Sequence, residues 1–174
     1  MSYYVIADMN FNNKLIAAKL KMSIKDYNKM LINKWNSITT KDDSIFVFGI
    51  FGTGLGKELK PIIEQLNGII YIVNYVENKI FDRDRWKRLG IHAVWNCNFT
   101  YPIGDDKIFF PAEKKCKDDT CKYRILTEKD RAAEVYKNNQ LSIEAKYWDY
   151  TPILLKEIPD IILRMKDFEE MEEN

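Results

Sequence analysis

The sequence predicts an α/β fold, and three observations carry that expectation. Short apolar runs at "YYVIA" (3–7), "SIFVFGIFG" (44–52) and "IIYIVNYV" (69–76) have the length and the β-branched or aromatic content of buried strands. The segments between them space their apolar residues as helices do. The resulting β-α-β-α-β alternation over the first 76 residues calls for a sheet with helices on its faces.

The run at 3–7 ends at Asp8, where a loop opens through Asn10. An Asp at the carboxyl end of a strand is a common holder of metal or phosphate in α/β folds. Residues 23–38, "SIKDYNKMLINKWNSI", follow with Ser23 as N-cap. Ile24, Tyr27, Met30, Leu31 and Trp35 recur there at helical spacing, which predicts one buried face. "TTKDD" breaks this helix ahead of the second strand. "GTGLG" is expected to be a glycine loop, and Lys57 and Glu58 follow it where a phosphate-binding loop would have Lys-Ser/Thr. "KELKPIIEQLNG" reads as a short helix closed by Asn67 and Gly68.

The second half is more strand-like and less regular. "RDRWKRLG" reads as a short helix, and "HAVWNCNFTYPI", "KIFFPAE" and "QLSIEAKYWDY" as strands. "TEKDRAAEVYKNN" is a polar insert, helical or looped. "PDIILRMKDFEEMEE" predicts a closing helix with Pro159 in its first turn. Its acidic end, "DFEEMEEN", reads as a solvated terminus. No repeat, low-complexity linker or domain boundary interrupts the chain, so residues 1–174 are expected to form one domain.

Composition narrows the function classes. Apolar residues make up 46% and charged residues 30%, an ordinary globular balance, and the net charge of +1 gives no global field toward nucleic acid or a membrane surface. No apolar run approaches the ~20 residues of a membrane helix. The short first run, ending at Asp8, does not have the pattern of a secretory signal, so a cytoplasmic protein is expected. Cys97, Cys116 and Cys121 are an odd number of thiols, unlike a secreted disulfide framework. Cys116 and Cys121 in "KKCKDDTCKYR" lack structural-zinc spacing and read as reduced thiols on a polar loop; lysines lowering a thiol pKa are the functional alternative.

Several strings then line up with a known pattern. Asp8-Met9-Asn10 stands where a strand would open into Asp-x-His, followed by "FNN" in place of a Phe-Gly-His-like turn. "NKWNSI" ends a helix, "KDDSIFVF" leads into a strand, and that strand closes on Gly49-Ile50 in place of Gly-Asp. "QLNGIIYIVNYV" runs into Val73-Asn74-Tyr75-Val76 in place of Gly-Asn-His-Asp. "LSIEAKYWDYTPILLKEI" supplies a closing strand, a Trp-Asp-Tyr turn and a Pro-Ile segment. Over nearly its whole length the chain thus resembles the calcineurin-like metallophosphoesterase superfamily, in its small bacterial phosphodiesterase branch.

The resemblance implies a four-layer α/β/β/α sandwich with two metal ions at the ends of the central strands. Carried over by position, Asp8 keeps the first carboxylate and Asn74 the amide. Asn10 replaces a histidine, Ile50 the bridging aspartate and Tyr75 the catalytic histidine. Pro111-Ala112 stands at the Ser-His pair, and no histidine follows His92 to make the last ligands. Two divalent ions ~3.5–4 Å apart need a bridging anion and neutral ligands around them. Ile50 offers hydrocarbon there, and the phenol of Tyr75, with an ordinary pKa near ~10, is a poor acid at neutral pH.

The expectation is therefore a degenerate phosphoesterase-fold protein, without dinuclear hydrolysis and without a cofactor, that acts by binding. Its target would be a protein partner or a phosphate-containing ligand in the vestigial cleft. The alternative is a phosphoesterase with residual or single-metal activity, one manganese or magnesium ion being held weakly by Asp8, Asn10 and Asn74. A different chemistry using Cys97, Cys116, Cys121, Tyr75 or His92 has no spacing to support it. His92, between apolar neighbours, is expected to be structural. Arg83, Arg85, Lys87 and Arg88 are expected to form a solvated helix face, so nucleic acid is not an expected partner.

Overall fold

The computed structural model describes residues 1–73, 78, 80–95, 99–110, 123–126 and 140–172. The three leading runs form parallel strands, β1 (Tyr3–Ala7), β2 (Ser44–Phe48) and β3 (Ile69–Val73), joined by β4 (Ala93–Trp95). A short β9 (Ile153–Leu154) runs antiparallel along β1, giving the order β4-β3-β2-β1-β9. Tyr3 pairs with Ser44 and Ala7 with Phe48, so β1 and β2 end level with one another. The fold is α/β.

Every residue of β2 is buried, and strand alternation divides these residues between two cores. Ile6, Ile45, Val47, Ile70, Ile72 and Val94 enter a core shared with the helices. Val5, Ala7, Phe46, Phe48 and Val73 enter a second core with Ile108, Leu141 and Ile143. Because the order steps steadily from β1 to β4, right-handed crossovers place all the connecting helices on one face.

Those helices are α1 (Lys14–Lys19), α2 (Ile24–Asn36), α3 (Gly56–Ile63) and α4 (Arg83–Leu89). Ser23 caps α2 as expected, its hydroxyl accepting from the Asp26 amide at 3.1 Å. Tyr27, Leu31 and Trp35 are buried, while Ile24 and Met30 pack at the edge of the core. Helix α3 begins inside the expected glycine loop, at Gly56, where the Glu58 carboxylate accepts from the Leu55 amide at 2.6 Å. Gly68 closes the turn after it at φ 90°, and a Cβ there would collide with Ile45.

The second sheet has the order β5-β6-β7-β8. Its strands are β5 (Phe99–Ile103), β6 (Asp106–Phe110), β7 (Tyr123–Leu126) and β8 (Gln140–Ser142). It corrects the sequence reading in three places. "HAVWNCNFTYPI" is two strands in different sheets, β4 and β5. The strand at 140 stops at Ser142, and Ala145–Trp148 is a 3₁₀ turn. Strand β7 begins within the stretch "KKCKDDTCKYR" that was expected to be a polar loop, and pairs in parallel with its chain neighbours β6 and β8. The insert at 127–139 lies outside the described residues. Helix α5 (Ile158–Glu172) closes the chain, with Pro159 in its first turn and Ile158 and Ile162 in the second core.

Candidate functional site

The carboxyl ends of β1 and β2 are held together by a continuous run of main-chain bonds. The amides of Asp8, Asn10 and Phe11 donate to the carbonyls of Phe48, Ile50 and Phe51 at 3.0–3.1 Å, and the Thr53 amide returns a bond to Phe11 at 2.8 Å. Along this run Asp8, Asn10 and Asn12 have φ of 56°, 55° and 61°. Asp and Asn tolerate this left-handed region better than other residues with a Cβ. They alternate with Met9 and Phe11, which are fully buried and anchor the loop in the helix-side core. The Tyr27 hydroxyl reaches the Met9 carbonyl at 3.4 Å, and burial pushes that phenol far above its ordinary range.

Asp8 and Ile50 meet, but through the main chain. The Ile50 amide donates to Asp8 Oδ1 at 3.0 Å, and the half-buried Ile50 side chain brings no polar group to the strand ends. Gly49 makes this approach possible: its φ is 62°, and a Cβ there would collide with the Asp8 carboxylate. Asn10 turns its amide back on its own loop. Nδ2 donates to the Asp8 carbonyl at 2.9 Å, and Oδ1 accepts from Asn13 Nδ2 at 3.3 Å. Asn13 Oδ1 in turn caps α1, accepting from the Leu15 and Ile16 amides at 3.1 Å. Asn12 exchanges two bonds with Asn28 of α2. The loop is thus a relay of asparagine amides.

Two residues important at these strand ends escaped the sequence reading. Asn78 is 1% exposed and staples the exit of β2: Oδ1 accepts from the Phe51 amide at 3.0 Å, and Nδ2 donates to the Gly49 carbonyl at 2.7 Å. The indole of Trp86 in α4 donates to the Asn78 carbonyl at 3.0 Å. Glu144 is 2% exposed, bridges Ala7 beside Asp8, and pairs with Lys146 at 2.9 Å. Nothing in "SIEAK" marks it out, since its burial comes from pairing of this segment with Ala7, far away in sequence.

Asn74, Tyr75 and Ala112 lie outside the described residues, as do Cys97, Cys116 and Cys121. His92 is exposed; it precedes β4, and its ring meets that of Tyr71 edge to face with centroids 5.0 Å apart. Arg83, Arg85, Lys87 and Arg88 are all exposed, as expected, and Arg85 lies over the Phe81 ring at 4.5 Å. No helix among the described residues is long and apolar enough to cross a membrane.

A pair of divalent ions does not fit these residues. Asp8 Oδ1 already takes the Ile50 amide, the Asn10 oxygen already takes a donor from Asn13, and Ile50 presents hydrocarbon. Among the described residues no three His, Cys, Asp or Glu side chains converge to hold a metal.

No family model matches the chain, and no curated protein matches it. A solved structure is similar in fold, that of AQ665, a protein of unknown function from Aquifex aeolicus. The TM-score is 0.67 at 15% identity, over 92% of this chain and 99% of that one. At this identity the likeness speaks to the fold alone.

Proposed function

We propose that this chain is a degenerate metallophosphoesterase-type protein, a four-layer sandwich that acts by binding and not by dinuclear hydrolysis. The observation that carries the reading is the contact between Asp8 and Ile50. The resemblance puts a metal-bridging carboxylate at position 50, and there the first carboxylate of the set takes a main-chain amide at 3.0 Å instead. The carboxylate, the Gly49 that makes room for it and the left-handed Asn10 stand as framework. The rival reading is a single-metal phosphoesterase with residual activity, using Asp8, Asn10 and Asn74.

Elemental analysis after purification in manganese-supplemented buffer separates the two. The proposal expects well under one equivalent of manganese, iron or zinc and no turnover of an aryl phosphodiester with manganese present. One or two tightly held equivalents, lost in Asp8→Ala along with phosphodiester turnover, would overturn it.

A further inference from the structure

On the helical side, beginning two residues beyond Asn10, an open cavity of about 460 Å³ lies between the first turns of α1, α2 and α3. Lys14 and Leu15 form one wall and Ile24 another, while Asn12 and Thr53 lie between them, with Glu58 at the start of α3. The Thr53 hydroxyl donates to the Asn12 carbonyl at 3.1 Å, so the loops after β1 and β2 are tied together here. Two leucines at this place are turned to solvent: Leu15 is 76% exposed, and Leu55, next to the cavity-lining Gly54, is 56% exposed. Exposed leucines beside a cavity mark an interaction surface more than scattered ones do.

Charge selects the occupant. Residues 14–29 carry Lys14, Lys19, Lys21, Lys25 and Lys29 against Asp26 alone, in a chain whose total charge is only +1. All five lysines are exposed, and Asp26 is engaged by the Ser23 hydroxyl at 2.6 Å. The first turns of α2 and α3 add the positive ends of two helix dipoles. Glu58 is the one acid on the cavity wall, and its carboxylate is held by the Leu55 amide. We propose that this cavity, with Lys14 on its wall and Lys25 next to the lining Ile24, is a docking site for an acidic segment of a partner protein, which seats an apolar side chain between Leu15 and Ile24 while its carboxylates face those lysines. The hollow form and the amide and hydroxyl at Asn12 and Thr53 suit a protruding side chain, where a membrane surface would ask for a convex apolar face. Nucleic acid would use the lysines but would leave Leu15 and Leu55 without a role.

The site is separate from Asp8 and Ile50 and stands whether or not a metal binds there. The test uses the full chain and a fluorescein-labelled peptide with Leu and Phe set among glutamates. A second peptide has glutamine for every glutamate; anionic vesicles of phosphatidylserine and phosphatidylcholine, and a short single-stranded DNA, complete the probes. Saturable binding of the acidic peptide is expected, weakening with salt and falling about tenfold or more in Lys14→Glu/Lys25→Glu. Leu15→Ser should weaken it several-fold; as Leu15 is exposed, circular dichroism should show an unchanged fold. Absence of peptide binding overturns the proposal. So do equal binding of the glutamine peptide, indifference to both variants, and binding of vesicles or DNA in preference to the peptide.

Discussion

Gly49 has a φ of 62°, and the space its missing Cβ leaves is filled by the Asp8 carboxylate. Both constraints act against any side chain. A left-handed conformation costs an alanine about 1–2 kcal/mol, and the collision adds to it. Gly49→Ala should therefore lower unfolding free energy by roughly 2 kcal/mol or more, read from the urea midpoint at constant m-value. A neutral result would mean that the loop relaxes out of the left-handed conformation and that Asp8 moves aside at no cost. Asp43 offers a different residue-scale test. Burial acts to raise its pKa, but hydrogen bonds from the Thr40 amide and hydroxyl at 2.8 Å and from the Ser2 amide at 2.7 Å favour the anion, and the net shift is downward. With the folded pKa below the unfolded one, the carboxylate contributes stability above the unfolded pKa, and that contribution is lost as pH falls through the folded pKa. Asp43→Asn should be less stable than the parent at pH 7, with the gap closing as pH falls below the ordinary carboxylate range and through the folded pKa. Parallel urea melts across that range check it; a gap that is constant with pH would show that the charge is not what matters.

At the scale of elements, the parts legible in the sequence were those whose signal is local. Helix α2 declared itself through Ser23 and the spacing of Tyr27, Leu31 and Trp35, and β1 to β3 through unbroken apolar runs. Helix α1 did not, because six residues are too few to display a period and its start lies in a string of asparagines. Its cap is legible only in hindsight: Asn13 accepts from two amides of the first turn while its own Nδ2 holds Asn10. Asn13→Ala should cost about 1 kcal/mol from the cap alone, and it also frees the Asn10 amide. Hydrogen exchange should then quicken in residues 10–19 with α2 unchanged; uniform quickening across both helices would mean that α1 and α2 open as one unit. Strand β7 was illegible for a different reason. An arginine interrupts the short run "YRIL", which leaves only Ile125 and Leu126 as aliphatic residues, so nothing in it announces a parallel strand beside β6 and β8. The site divides in the same way. Asp8 and Ile50 follow the ends of β1 and β2, places that apolar runs make legible, whereas Asn78 and Glu144 act through contacts across the fold.

At the scale of the whole molecule, two level parallel strands bring positions 8, 10 and 50 to one end of the sheet, and this convergence can be tested by rebuilding part of the lost ligand set. Asn10→His with Ile50→Asp restores an imidazole and a carboxylate beside Asp8. The native Ile50 amide already reaches Asp8 Oδ1 at 3.0 Å, so an aspartate at 50 starts from a main chain in contact with the first carboxylate. Without metal this double variant should lose stability for two reasons. Two carboxylates at close range repel one another and lose hydration, and Asn10 gives up its bonds to the Asp8 carbonyl and to Asn13. A divalent ion reverses the first effect alone, by supplying the opposite charge between the two acids. Thermal melts with and without manganese should thus show a variant less stable than its parent that recovers several degrees on adding the ion, since binding to the folded state adds RT ln(1 + [L]/Kd). The parent should not respond. Catalysis is not expected to return with the metal, because no histidine follows His92 to complete the set, and a loosely held site ~1 Å out of place loses most of its activity. A double variant equally unstable with and without manganese would mean that positions 8, 10 and 50 do not converge on one ion, and the proposed kinship with the phosphoesterases would fall with it.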